Sequence, residues 1–117
     1  MTLQFTNEEL QLIVELLEER LRALDMEIAH TERKVYRSIL EQQEKQLDQL
    51  EDKVIAHDLS FAADELEGLL DFLTVKSREL RNEISRTENR EYKQMLRGRQ
   101  EILEHAEDKV TEACCMT

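Results

Sequence analysis

Proline and tryptophan are absent from this chain, glycine occurs twice, and the two cysteines stand side by side near its end. With no proline and almost no glycine, little in the sequence interrupts a helix, and turn-rich β architectures lack the residues that build their corners. Adjacent thiols at Cys114 and Cys115 cannot staple a fold, and a vicinal disulfide is strained, so no disulfide framework is expected. Long apolar runs are missing as well. Stretches such as Leu12-Ile13-Val14 fall far short of the roughly 20 residues that span a bilayer. Positive charge is in the minority, 16 Lys and Arg against 27 Asp and Glu, for a net charge of −11. Neutralising phosphates requires a basic face, so neither nucleic acid nor an anionic membrane surface is the expected partner. What is present, 37% charged and 40% apolar residues in 117, describes one small all-α domain.

That domain is written twice. Residues 5–54 moved along by 56 positions fall on 61–110, with seventeen of the fifty pairs identical. Phe5 meets Phe61, Glu27-Ile28 meets Glu83-Ile84, and Glu51-Asp52-Lys53-Val54 meets Glu107-Asp108-Lys109-Val110. A tandem copy of one supersecondary unit follows.

Apolar spacing places four helices. Leu10, Val14, Leu17, Leu21, Leu24 and Ile28 step by four and three, the rhythm of a helix packed at coiled-coil geometry. Tyr36, Leu40, Gln43, Leu47, Leu50 and Val54 repeat it, as do Leu66 to Ile84 and Tyr92 to Val110. Ile28 to Tyr36 is a step of eight, so the chain must reverse near His30-Thr31, and likewise near Arg86-Thr87. Each repeat is thereby an αα-hairpin. The boundaries are hairpin 1 at 5–56, a linker at 57–60, hairpin 2 at 61–112 and a disordered tail at 113–117. Flanking residues, among them Ile13, Val35, Ile39, Leu69, Val75 and Met95, widen the apolar stripe beyond one seam. The expected architecture is an up-down-up-down antiparallel four-helix bundle, or open hairpins completed by dimerisation.

Capping residues mark the starts. Thr6 with Glu9 forms a capping box and starts the first helix at about residue 7. Thr31 and Thr87 are placed to cap the returning helices, and Asp58 or Ser60 the third, since Ala62 cannot.

Two groups of polar residues invite a functional reading. Stacking the seams by height brings Gln43, Ser77 and Arg99 to one level with Leu21, a polar layer that either sets register or holds an anion. The repeated turn sets Glu27, Thr31, Tyr36 and Glu83, Thr87, Tyr92 either lock each turn or form a binding feature. A di-metal site is tested by Glu27-Ile28-Ala29-His30, the Glu-x-x-His unit that di-iron bundles use twice. Its counterpart Glu83-Ile84-Ser85-Arg86 lacks the histidine and the seams carry no carboxylate, so no metal and no cofactor is expected. No phosphate loop, Cys-x-x-Cys or paired nucleophile and histidine occurs, so there is no catalytic residue to name and the chain is not expected to be an enzyme.

The turn pattern Leu24-x-x-Glu27-Ile28-x-x-Thr31-Glu32-x-x-x-Tyr36, repeated at 80–92, resembles that of short uncharacterised bacterial helical-hairpin proteins. The resemblance covers both halves and implies a duplicated hairpin from a bacterial cytosolic protein, with no functional residues to transfer. The first nine residues lack the basic and apolar regions of a secretory signal, which also points to the cytoplasm. The expected function is a non-catalytic protein–protein interaction or self-assembly module whose partner is another protein or a second copy. The alternatives are an acidic nucleic-acid mimic that occupies a basic site, and a metal- or small-ligand-binding bundle.

Overall fold

A computed structural model describes residues 4–56 and 60–115, in which four helices and no strand occur: α1 Asn7–Ala29, α2 Lys34–Ile55, α3 Ala63–Arg86 and α4 Arg90–Cys115. The fold is all-α, with the element content of a four-helix bundle, and the contacts of α1 with α2 and of α3 with α4 are those of two hairpins. Two compact units divide the chain. One is residues 13–58, which hold most of α1 and all of α2; the other is residues 59–117 together with the start of α1 through Leu12. The dividing point therefore lies inside α1, upstream of the linker at 57–60, of which 57–59 lie outside the described residues.

Within residues 13–58, Ile13, Leu17 and Leu24 of α1 and Leu40, Leu50 and Val54 of α2 are buried. In the other unit Leu10 and Leu12 of α1, Phe61, Leu66, Leu69, Phe72, Leu73 and Ile84 in and before α3, and Leu96, Leu103, Ala106, Val110 and Ala113 of α4 are buried. These are the seam positions with a few flanking residues, and each leucine contributes about 1.5–3 kcal/mol by leaving water. The stripe is narrower than the sequence suggests. Val35, Ile39, Val75 and Met95, expected to widen it, are exposed, as are the seam tyrosines Tyr36 and Tyr92. The tyrosines, Val35, Ile39 and Met95 lie toward the turns, where the helices end and neighbours are few, whereas Val75 lies mid-α3 on the side opposite the Leu66–Ser77–Ile84 seam. At the far end α4 continues through Cys115 with Ala113 buried, three residues into the stretch 113–117 read as a tail; Cys114 is half-buried.

The helix termini show what local chemistry decides. At α1 the capping box forms: the Thr6 N–H donates to Glu9 Oε1 at 2.7 Å and the Glu9 N–H to Thr6 Oγ1 at 3.1 Å. At α3 only half of it survives, because Ala62, the cap residue, has no side-chain oxygen to offer; its N–H donates to Glu65 Oε1 at 2.9 Å, and Ser60 is not the cap. Asp58 lies outside the described residues.

Candidate functional site

The turns come first, because the repeated sets meet there. Thr31 and Thr87 do not cap the returning helices. The Thr31 hydroxyl donates to the Glu27 carbonyl and the Thr87 hydroxyl to the Glu83 carbonyl at 2.7 Å, so each satisfies an orphan acceptor at the end of the outgoing helix. Position explains the reversal: the returning helices are capped at 33 and 89, two residues beyond each threonine, out of reach of its hydroxyl. Arg33 offers no side-chain cap to α2, whereas Asn89 Oδ1 accepts from the Tyr92 N–H at 3.1 Å.

Hairpin 2 joins its turn set into one network. The Tyr92 hydroxyl donates to Glu83 Oε1 at 2.7 Å, a bond that holds the phenol pKa above its ordinary value, with desolvation adding and Arg99 opposing. Glu83 and Thr87 line an open cleft of about 380 Å³ with Glu79, Asn82 and Arg86. In hairpin 1 the matching Glu27 pairs instead with Arg20 at 3.6 Å, and Tyr36 is half exposed. The sets therefore hold backbone ends and one tyrosine in place.

The three layer residues differ in burial. Gln43 is exposed, Arg99 half-buried, and Ser77 is 1% exposed, its Oγ without a hydrogen-bond partner. Ser77 occupies a seam position that the first repeat fills with Leu21, which accounts for its burial.

A charged centre that sequence inspection missed lies where the start of α1 meets α4. Glu9 is 3% exposed and its carboxylate accepts from the Lys109 ammonium, 100 residues away, as well as from the Thr6 N–H. Burial pushes the Glu9 carboxyl up, but Lys109 and Thr6 together more than offset it and leave the pKa below the ordinary value. Lys109 also sits over the Phe5 ring, 6.0 Å from its centroid. Around the pair opens a cleft of about 370 Å³ reaching Ile102, His105 and Asp108. Its ion pair is satisfied internally, so its chemistry is that of a clamp. The signal was in the sequence, since Glu9 and Lys109 both belong to repeated segments, but only folding shows that they meet.

Residues 13–58 carry the opposite case, carboxylates against carboxylates. The Glu44 carboxyl is held above its ordinary value by a hydrogen bond with Asp25, then by burial and by Asp48 and Glu41. Burial, Glu18, Asp48 and Asp52 do the same to Glu51. One oxygen of each glutamate is buried without a partner. A carboxyl raised in the folded state contributes stability that is complete below its unfolded value near 4.5 and is lost as pH rises through the higher folded value. Wild-type stability should thus decline on going from mildly acidic to neutral pH. In Glu44→Gln/Glu51→Gln that decline should flatten and the melting temperature at pH 7 should rise, as thermal unfolding followed by circular dichroism across pH would report. An unchanged slope would remove these two residues as its source.

Among the described residues no group of three or more His, Cys, Asp or Glu is arranged to hold a metal ion, and no helix is long and apolar enough to cross a membrane. No family model, no curated protein and no solved structure matches the chain.

Proposed function

We propose that this protein is a non-catalytic interaction module whose hairpins present apolar side chains to another protein or to a second copy. The supporting observation is an exposure that the repeat preserves. Tyr36 and Ile39 on α2 correspond to Tyr92 and Met95 on α4, one helical turn apart in each pair, and all four are 41–51% exposed. Val35, 77% exposed, adds to the first pair. Isolated exposed apolar residues are ordinary, whereas the same two positions left uncovered in both copies form a recurring surface. Lysine or glutamate would serve solvent better at these sites. The cytosolic setting and the bacterial hairpin resemblance belong to the same proposal, in which duplication joins two interaction units in one chain.

Site-specific photocrosslinking tests it. A crosslinker at Ile39 or Met95 of the full chain, irradiated in cells, should yield one defined product, and the same group at exposed Glu41 or Lys45, on the far side of α2 from Ile39, should not. Equal, diffuse labelling at all four positions would refute the proposal.

The carboxylates near Glu44 and Glu51 support a second possibility, the acidic mimic of nucleic acid. It requires binding to a basic protein that weakens in Glu44→Gln/Glu51→Gln, with nucleic acid competing for the same site. Failure of nucleic acid to compete would dismiss it.

A further inference from the structure

The outward face of α4 has an unusual charge order. Arg90, Gln94, Arg97, Glu101, Asp108 and Glu112 fall at helical spacing along one side, and all are exposed. The sign changes once, from basic to acidic, beside Gly98. The macrodipole favours the reverse, acids in the first turns and bases in the last. At four-residue spacing, acid before base is also the better order, and Arg97 precedes Glu101. No ion pair among the described residues engages Arg90, Arg97, Glu101 or Asp108. The arrangement thus works against the helix that carries it.

Gly98 is the second observation. It lies mid-helix and exposed, and a Cβ built there would meet nothing within 4 Å. Nothing inside the monomer requires glycine at a place where alanine would favour the helix. Gly98 borders the strip at the height of the sign change, and the space it leaves there admits side chains of another helix. In the first repeat Gly98 is matched by Gln42, and the strip reads Lys34, Ser38, Glu41, Lys45, Asp52, with its signs interleaved. Neither feature is therefore inherited from the hairpin scaffold.

We propose that α4 pairs antiparallel with α4 of a second copy about a two-fold axis near Gly98, setting Arg90 against Asp108 and Arg97 against Glu101 in both directions. Both pairs are symmetric about position 99, so one register satisfies four of the five charges on the strip of each copy, Glu112 lying beyond the paired stretch. The charge complement of the surface is thus the same surface turned end for end, as an isologous interface demands. Within one molecule Arg90 and Asp108 are about 27 Å apart along the helix, beyond the screening length of about 8 Å, so they cannot neutralise each other. This inference rests on the interaction-module proposal and adds to it a partner and a register.

Sedimentation equilibrium of the full chain over a concentration series, at about 20 mM and about 500 mM salt, is the test. The expected result is a dimer whose dissociation constant rises about tenfold or more at the higher salt. Arg90→Glu/Arg97→Glu and Glu101→Arg/Asp108→Arg should each be monomeric, with wild-type helicity by circular dichroism, and mixing them in equal amounts should restore a dimer. Gly98→Gln should melt higher in high salt, where the chain is monomeric, and dimerise more weakly in low salt. A monomer under all conditions, a dimer indifferent to salt, or a mixture that stays monomeric would overturn the proposal. Crosslinking at Ile39 and Met95 is read separately: a defined product there beside a failed charge swap discards this register and leaves the interaction module standing.

Discussion

Leu73→Ala is expected to cost about 2–5 kcal/mol and to lower the melting temperature by roughly 10–20 °C. Leu73 is wholly buried at the centre of the α3 seam, as is its repeat mate Leu17 in α1. Removing three carbons deletes their transfer energy and leaves a cavity that two helices held by neighbouring leucines can only partly close. The control is Val75→Ala, two residues on and 46% exposed, which should change stability by no more than about 0.5 kcal/mol. Urea unfolding of both variants decides the matter. Similar losses would mean that the outer face of α3 is covered. A small loss at Leu73 would mean that the α3–α4 contact is loose enough to collapse around the gap.

Lys109→Met is expected to cost about 1–3 kcal/mol, because it strands a carboxylate that is almost fully buried. The value stays below that of a deeply buried pair because the Lys109 side chain is 37% exposed and solvent shares its charge. In Glu9→Gln/Lys109→Met most of the loss should return, since glutamine still accepts the Thr6 N–H without leaving a charge behind. The pH dependence has a definite sign. A carboxyl lowered in the folded state contributes stability that is present above its unfolded value of about 4.5 and is lost as pH falls through the folded value. The gap between wild type and Lys109→Met should therefore be widest near pH 7 and close in acid. A gap that is constant with pH would show that the loss does not come from stranding the Glu9 carboxylate.

The two pH effects run in opposite directions and report on different parts of the chain. Acid weakens the Glu9 clamp where α1 meets α4, and relieves the crowded carboxylates around Glu44 and Glu51. A single melting temperature measured against pH would blend them. The Lys109 and Glu44/Glu51 variants separate the contributions.

Most of the scaffold is legible without coordinates, because helices answer to rules that act over three or four residues. The leucine seam marks α1 to α4, the step of eight residues marks each reversal, and Thr6 with Glu9 marks the first helix start to within a residue. Where chemistry is local yet directional, the same inspection goes astray. Thr31 and Thr87 sit at the turns as expected but donate backwards to the outgoing helix, because a hydroxyl can give or accept and only backbone geometry selects the partner. The start of α3 shows the converse: its cap position falls on Ala62, which has no side-chain oxygen, and only Glu65 bonds back to the cap N–H.

Sequence periodicity alone thus determines the all-α class, the duplicated hairpins and the identity of the central leucines, since each depends on near neighbours and on which residues shun water. Folding decides matters that depend on residues far apart in the chain. It brings Lys109 to a glutamate 100 residues away, and it leaves Tyr36, Ile39, Tyr92 and Met95 uncovered although their spacing matches the core. The physical reason is that a stripe records which side chains can be buried, while burial itself needs a second surface, and near the hairpin turns that surface runs out.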